Sequence, residues 1–379
     1  MIVGGGRIMK LLTVLSAAAL ALGAVSAQAQ SDITLGMVVG TTGAFAGGEA
    51  PLVNGVKLAV EDVNAKGGVG GRKLKLVIED TGSEQTGAVN AYNRILAQKP
   101  VAIMDTTVSG FVLSQLGAIE DEGVPTFTGA ATAQIALDKK GVANLFRVRT
   151  SDSLVPGAAT RFAARNLQAK RIGVLRVNNE YGAGWRSAIE GALAEMGMKP
   201  AIVESYEGAD RDLTPQLLRI KEANVDALIV AGDPPNHVVA VQQIRQLGLN
   251  AKVIMSNSGV LPTTLRLYQG GAADGFYGTV DSLPAANPAH KAWADRYKAA
   301  FNVDADYSAA EYYDGVMMLA DAIAKAGEKP ADIVKALRAL KDRAGVGNTY
   351  TYADKGDGGQ TVAIGEIKGG RLELAAQVK

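Results

Sequence analysis

Residues 33–78 read ITLGMVVGTTGAFAGGEAPLVNGVKLAVEDVNAKGGVGGRKLKLVI, and this segment sets the architecture expected for the whole chain. Its two ends, 33–39 and 74–78, are short runs rich in apolar and β-branched residues, which predict strands. Between them, valines recur at spacings of three, four and three residues, so they share one face of a helix. These valines are Val53, Val56, Val60 and Val63, and the pair Gly67-Gly68 predicts the end of that helix.

The same alternation continues beyond this segment and predicts an α/β protein with parallel sheets covered by helices on both faces. Further strands are predicted at 101–104, 124–127, 171–177, 201–206, 227–231 and 252–256, and further helices begin near Ala183, Leu213 and Asn236. Because the pattern occurs twice, we expect two similar Rossmann-like lobes.

The length of 379 residues also favours two domains, at roughly 100 to 200 residues each. No linker rich in proline, glycine or serine separates them, so we expect three short strand-like crossovers, near 147–150, near 256–257 and around Gly356. With these crossovers, hinge motion would open and close a cleft. The predicted lobes are residues 30–148 with 257–354 for lobe 1, and residues 149–256 with 355–379 for lobe 2.

The N-terminus has the features of a secretory signal peptide. Arg7 and Lys10 precede an apolar run at 11–25, and Ala27-Gln28-Ala29 matches a signal-peptidase site. The run is shorter than the roughly 20 residues that cross a bilayer. The absence of cysteine excludes disulfides and a lipid-bearing cysteine. We therefore predict cleavage near Ala29, a signal peptide at 1–29 and release into the periplasm.

Composition argues against several classes of function. The 39 basic and 38 acidic residues are balanced, so neither nucleic acid nor an anionic membrane surface is an expected partner. No HxxxH, CxxC or GxSxG spacing occurs, which argues against a zinc site and against the enzyme alternative, a secreted α/β hydrolase or oxidoreductase. We expect His237 and His290 to be solvated. Neither glycine-rich segment, 43–48 or 67–71, spells a phosphate-binding motif, and 354–358 is interpreted as a turn, so no cofactor or metal is expected.

Two strand-to-helix loops, 106–110 and 128–132, carry small hydroxyl residues. In a parallel sheet such loops lie where ligands bind, and the N–H groups of the following helices favour an anion such as a carboxylate. The residues alone leave two interpretations of Ser109 and Thr132 open, because either could merely cap its helix. Tyr181, in the equivalent loop of the second unit, either closes on a ligand or is an ordinary half-buried tyrosine.

Several segments in this order form a specific pattern: Thr42-Gly43, residues 64–74, Ala130-Ala131-Thr132, Phe146-Arg147 and Tyr181-Gly182. The pattern resembles the leucine/isoleucine/valine-binding family of type I periplasmic binding proteins over essentially the whole mature chain. The resemblance implies two Rossmann-like lobes with three crossovers and closure on a ligand. It also implies delivery of that ligand to the permease and ATPase subunits of an ABC importer, by a protein expected to be monomeric.

The resemblance further implies roles for individual residues. The ligand carboxylate would be held by Thr132 and by the loop Thr107-Val108-Ser109. An ammonium group would be held by the carbonyl of Ala130 and by an acidic residue of loop 232–236. The candidate ligand-binding residues are Phe45, Thr107, Val108, Ser109, Ala130, Ala131, Thr132, Tyr181, Asp233, Asn236 and Asn257.

Two departures from the family pattern concern the part of the ligand that lies away from its carboxylate. Asn236 stands where amino-acid binders place glutamate, and Gly48 stands where they often place an aromatic residue. A buried ammonium without a carboxylate costs several kcal/mol, so either Asp233 substitutes or the ligand has no amino group. Phe45 and Tyr181 could flank a planar ring. We therefore favour an aromatic or 2-oxo acid, with a branched-chain or other amino acid as the alternative and a ligand-presenting sensor as a further one.

Overall fold

The computed structural model describes residue 1 and residues 31–132, 135, 142–284, 287–352 and 357–378. Beyond residue 1 the predicted signal peptide lies outside the described residues, as does most of the predicted turn at 354–358. The first unit comprises β1 (Ile33–Val39), α1 (Ala46–Ala65), β2 (Leu74–Asp80), α2 (Gln85–Ala97), β3 (Ala102–Asp105), α3 (Ser109–Glu122), β4 (Thr126–Thr128) and β5 (Leu145–Thr150).

The second unit begins with a helix that continues into one π-helical turn at Phe162–Asn166. Its elements are α4 (Val155–Arg161), β6 (Ile172–Val177), α5 (Glu180–Glu195), β7 (Ile202–Tyr206), α6 (Thr214–Glu222), β8 (Ala227–Ala231), α7 (Pro234–Gln246), β9 (Lys252–Met255), α8 (Pro262–Leu265) and β10 (Tyr277–Val280). The C-terminal part adds α9 (Pro288–Phe301), α10 (Tyr307–Ala326), α11 (Pro330–Arg338), β11 (Arg343–Ala344), β12 (Thr349–Tyr350), β13 (Asp357–Gly359), β14 (Val362–Lys368) and β15 (Arg371–Val378).

The strands form two separate mixed sheets. Within the described ranges the first sheet has the order β11-β12-β13-β5-β4-β3-β1-β2, and the second has the order β15-β14-β10-β9-β8-β6-β7. Strands β1 to β5 pair in parallel, as do β6 to β10, whereas β11, β12, β14 and β15 pair in antiparallel fashion. The predicted fold class, two mainly parallel α/β lobes, is confirmed.

The valine stripe of α1 packs as its spacing predicts. All four valines are buried and belong to a core cluster with Tyr312 and Val316 of α10. The helix ends at Ala65, and Gly67 and Gly68 follow with φ of 95° and 74°, a left-handed backbone that glycine adopts without a steric cost.

The chain passes between the two sheets after β5, after β10 and after β13. The lobe boundaries predicted from the sequence disagree at two places with the sheet to which a strand belongs. β10 pairs with β9 in the second sheet, although residues 257–280 were assigned to lobe 1. β13 pairs with β5 in the first sheet, although residues from 355 onward were assigned to lobe 2. We therefore propose that the second and third crossovers lie at Asp281 and Gln360.

The expectation that the two histidines are solvated is wrong. His237 and His290 are both fully buried, and burial lowers the pKa of each to about 4. Nε2 of His237 lies 3.0 Å from the hydroxyl of Ser256, and Nδ1 of His290 lies 3.3 Å from that of Ser282. Both are therefore neutral core residues at pH 7. No described helix is at once long and apolar enough to cross a bilayer.

Candidate functional site

A cavity of about 110 Å³ lies between the loops that follow the parallel strands of the two sheets. From the first lobe it is bordered by residues after β1, β3 and β4, and from the second by residues after β6 and β8. This is the position at which parallel α/β sheets bind ligands. Its wall combines aromatic with ionisable side chains, namely Phe45, Tyr181, Tyr307 and Tyr312 with Glu49, Arg149, Asp233 and Glu311.

Close contacts between the lobes enclose this cavity. A Cβ atom added at Gly184 of α5 would lie 3.0 Å from Oγ1 of Thr132, and one added at Gly110 would lie 3.1 Å from Glu180. A Cβ atom added at Gly48 would lie 3.7 Å from Pro234, so this proline faces the position where amino-acid binders often place an aromatic residue. The described conformation is therefore a closed one.

The structure brings six of the predicted ligand-binding residues to this cavity. Its wall includes Phe45, Thr107, Val108, Ser109, Tyr181 and Asp233. Of the two predicted hydroxyl loops, only 106–110 thus contributes its predicted residues to the wall; from the other, Gly129 lies there.

Ala130, Ala131 and Thr132 do not lie in the cavity wall. All three are buried, and the carbonyls of Ala131 and Thr132 accept hydrogen bonds from the guanidinium of Arg147. The hydroxyl of Thr132 faces Gly184 of the second lobe. This segment therefore fixes the backbone at the lobe interface rather than bordering the cavity.

The two predicted asparagines also point elsewhere. The side chain of Asn236 donates to the carbonyl of Gly208 at 2.9 Å and accepts from the N–H of Asp233 at 3.4 Å, which stabilises the start of α7. Asn257 donates to Asp281 at 2.6 Å and accepts from the hydroxyl of Thr279 at 2.6 Å. Both side chains are engaged in interactions within the protein.

Glu49, which is not among the residues predicted from the sequence, occupies part of the predicted anion site. It lies in the first turn of α1, lines the cavity and is 2% exposed. Its carboxylate accepts from the N–H of Gly40 at 2.6 Å, from the N–H and hydroxyl of Thr107 at 2.9 and 3.0 Å, and from the hydroxyl of Thr106. Burial raises the pKa of Glu49, and these donors oppose that effect.

Ser109 is the first residue of α3 and is 3% exposed. Among the residues that the structure describes, its buried hydroxyl has no hydrogen-bonding partner. An unpaired buried hydroxyl costs about 1–3 kcal/mol, and a ligand that pairs with it removes that cost. The hydroxyl is therefore available to a polar ligand group.

Arg149 brings a positive charge to the cavity wall. Its Nε and Nη2 lie 3.3 and 3.2 Å from the carboxylate of Asp281, and its guanidinium lies 5.4 Å from the centre of the Tyr307 ring. Burial acts to lower the pKa of Arg149, but Asp281 and the weaker influences of Tyr307, Asp152 and Glu311 together outweigh burial, and the pKa is raised. The guanidinium therefore stays charged.

Three further acids lie at or near the cavity. Burial raises the pKa of Asp233 to about 6 and the pKa of Glu311 well above its usual range. Glu311 accepts a hydrogen bond from the side chain of Asn348 at 3.1 Å. Asp152 is fully buried, and burial raises its pKa to about 7 against the influence of Arg149 and of Trp185. Burial thus favours the neutral forms of Glu311 and Asp152 and weakens their repulsion of an anionic ligand, whereas Asp233, with a pKa of about 6, stays mostly ionised at pH 7.

Known proteins are similar to this chain over most of its length. A family model described as periplasmic binding protein matches residues 32–371. A Leu/Ile/Val-binding protein of Rhizobium johnstonii is 28% identical over 331 residues, which cover 87% of this chain and 89% of that protein.

Solved structures share the fold. A leucine-binding protein from Thermotoga maritima aligns with a TM-score of 0.84 and 26% identity, covering 91% of this chain and 98% of that one. A solute-binding protein of an R. palustris ABC transporter, in complex with benzoate, aligns with a TM-score of 0.83 and 17% identity, covering 92% and 96%. The same fold therefore accommodates different ligands, and the ligand of this chain has to be inferred from its own cavity.

Proposed function

Because the chain belongs to the periplasmic binding protein family, we propose that it is the solute-binding component of an ABC importer and captures a small carboxylic acid in the periplasm. The relatives are named binding proteins, and the chain is a binding protein rather than an enzyme. The observation that carries the ligand proposal is the enclosed cavity with two groups in its wall, Arg149 and the hydroxyl of Ser109, which no described residue pairs with.

Both groups fit a carboxylate. Asp281 engages Nε and Nη2 of Arg149, so Arg149 offers a ligand its positive charge and its remaining N–H groups. Hydrogen bonds between charged partners are about twice as strong as neutral ones. The hydroxyl of Ser109 adds a donor that lacks a partner among the described residues. A carboxylate bound here would thus gain one ionic and one neutral partner in a site shielded from water.

We favour a ligand without an amino group, such as an aromatic or 2-oxo acid. Of the positions that hold an ammonium in amino-acid binders, Ala130 lies outside the cavity wall, and Asn236, which stands in place of a glutamate, is uncharged and bonds to the protein backbone. Aromatic side chains instead form part of the wall, with Phe45 packed edge-on against Phe111 at 5.7 Å between ring centres. Such a wall suits a planar apolar body.

An amino acid is the second candidate, and Asp233 favours it. This carboxyl group lies in the wall, and burial alone raises its pKa to about 6, which a ligand ammonium would reverse by pairing with it. The name of the Rhizobium relative, a Leu/Ile/Val-binding protein, agrees with this candidate.

A thermal-shift panel on residues 30–379 tests the proposal. Matched pairs, such as leucine with its 2-oxo analogue and phenylalanine with phenylpyruvate, differ only at the amino position; benzoate adds a ring acid. A true ligand at a hundred times its Kd stabilises by about 2.7 kcal/mol. We expect at least one unaminated acid to raise the Tm, and a panel in which no carboxylate does so would refute the proposal.

Asp233→Asn separates the two ligand types while keeping a helix-capping side chain. An amino-acid ligand should lose about tenfold or more in affinity, because a buried ion pair is broken. An unaminated acid should bind the variant and the wild type equally well. Asp212→Asn, which changes an exposed residue before α6, is the matched control.

Uptake by cells tests the importer role. Deleting the gene should abolish uptake of the acid found in the panel, and adding back the wild-type gene should restore it. Unchanged uptake together with a lost transcriptional or chemotactic response would favour the ligand-presenting sensor instead.

A further inference from the structure

An anion-binding site lies beside the cavity at the carboxyl ends of β1 and β3. Two backbone N–H groups, of Gly40 and Thr107, and two hydroxyls, of Thr106 and Thr107, converge there. Donors from loops of two adjacent parallel strands are an arrangement that binds ligand anions in α/β folds. In this chain a side chain of the protein fills it.

The occupant is Glu49, and the geometry fits its ionised form. Oε2 accepts from the N–H of Gly40 and Oε1 from the N–H of Thr107, so each oxygen pairs with a group that can only donate. With its hydroxyl partners, this carboxylate has at least four hydrogen bonds while being 2% exposed. It also lines the cavity.

We propose that Glu49 is a specificity-determining residue: it occupies the Gly40 and Thr106–Thr107 donors as an internal carboxylate and restricts the cavity to ligands with a single carboxylate. This inference rests on the proposed function, because it defines which carboxylic acids the same cavity accepts. The ligand's carboxylate is directed to Ser109 and Arg149. A second carboxylate on the ligand would find these donors taken and would meet a like charge.

A purely structural role, in which Glu49 only ties the β1 and β3 loops together, makes a different prediction. Removing a structural tie weakens folding and the binding of every ligand alike. Removing an internal carboxylate vacates an anion site, so it changes which ligands bind and lets a free carboxylate restore stability. Ligand selectivity and rescue by acetate therefore distinguish the two roles.

The first measurement uses the wild-type protein and pairs of acids that differ by one carboxylate: butyrate with succinate, benzoate with terephthalate, and the best acid of the panel with a dicarboxylate analogue. We expect each monocarboxylate that binds to do so at least about tenfold more tightly than its dicarboxylate partner, the factor for one unpaired charged group. Equal affinities within any binding pair would overturn the proposal without any variant being made.

The second measurement uses Glu49→Ala, with Glu61→Ala, an exposed glutamate of the same helix, as the control. Acetate should raise the Tm of Glu49→Ala but not of the wild type or the control. The ratio of dicarboxylate to monocarboxylate affinity should rise by about tenfold or more in Glu49→Ala only. Unchanged selectivity and no acetate effect would show that Glu49 is merely structural.

Glu49→Gln keeps the side-chain volume and serves if the alanine variant does not fold. Loss of the charge alone should move selectivity toward dicarboxylates, and an unchanged ratio would contradict the proposal. Failure of the two proposals is distinguishable. If no acid binds the wild type, the carboxylate-receptor function fails, whereas acetate rescue of Glu49→Ala would still identify the anion site that Glu49 fills.

Discussion

Asp281 joins the second crossover to the first, and replacing it by asparagine should strongly destabilise the protein. Its buried carboxylate accepts from Nε and Nη2 of Arg149 at 3.3 and 3.2 Å, from the N–H of Thr150 at 2.8 Å and from Asn257 at 2.6 Å. An asparagine removes the charge and turns an N–H₂ group toward these donors. Breaking a buried ion pair in this way costs about 3–5 kcal/mol, because the remaining charge is left without its partner.

Urea unfolding, followed by circular dichroism, measures this change in the free energy of unfolding. The matched control is Asp295→Asn, because Asp295 pairs with Lys291 at 2.8 Å but its side chain is 68% exposed. An exposed pair of this kind contributes at most about 0.5 kcal/mol. A loss in Asp281→Asn no larger than that of the control would refute the argument that the ion pair holds the crossovers. Because Asp281 also positions Arg149, ligand affinity should fall in Asp281→Asn and not in the control.

Three further predictions concern the ligand, pH and closure. Ser109→Ala should weaken ligand binding about tenfold in isothermal titration calorimetry, the value of one hydrogen bond to a charged group, with little loss of stability, since no described residue pairs with the hydroxyl. Burial lowers the pKa of His237 to about 4, so below pH 6.5 the unfolded chain takes up a proton before the folded one. The free energy of unfolding should therefore fall between pH 6.5 and 4, by up to about 3 kcal/mol, and by less in His237→Gln. Gly184→Leu should prevent closure against Thr132 and reduce ligand affinity by about tenfold or more, because overpacking costs about 1–3 kcal/mol. Gly191→Leu on the same helix is the control: a side chain there meets nothing within 4 Å, so ligand affinity should not change.

Each of these expectations has a contrary result. An unchanged Kd in Ser109→Ala would mean that the ligand does not use this hydroxyl. Identical pH profiles of the wild type and His237→Gln would show that this histidine does not titrate on unfolding in that range. Equal ligand affinities of the two glycine variants would show that Gly184 of α5 does not contact Thr132 in the ligand-bound state.

Local sequence pattern was sufficient for the central strands of both sheets. Segments such as 33–39 and 227–231 are mainly apolar and are almost entirely buried, as expected of strands that are covered on both faces. It was not sufficient for β10 and β13, which have four and three residues. The sheet that each of them joins depends on pairing with strands that are distant in the chain, and the sequence of a short segment does not indicate that pairing.

In the candidate site, too, some residues could be predicted from the sequence and others could not. The loop positions of Ser109 and Asp233 follow from strand order, since parallel strands bring their carboxyl ends to one edge. Arg149 and Glu49 were missed because their partners, Asp281 and Thr107, lie 132 and 58 positions away. Counting along the chain gave the position of Asn236 but not the direction of its side chain, which is set by its hydrogen bond to the carbonyl of Gly208.

The pairing of β13 with β5 also affects when the protein can fold. The first sheet takes its last strands from residues 343–359, so the lobe that begins at residue 33 lacks part of its sheet until nearly the whole chain has been made. Tyr352 donates to the carbonyl of Arg147, 205 positions earlier, and contacts of such long range form slowly. A growing chain would therefore remain incompletely folded until its C-terminal segment is available, and a truncation before residue 343 would remove three strands from the first sheet as well as two from the second.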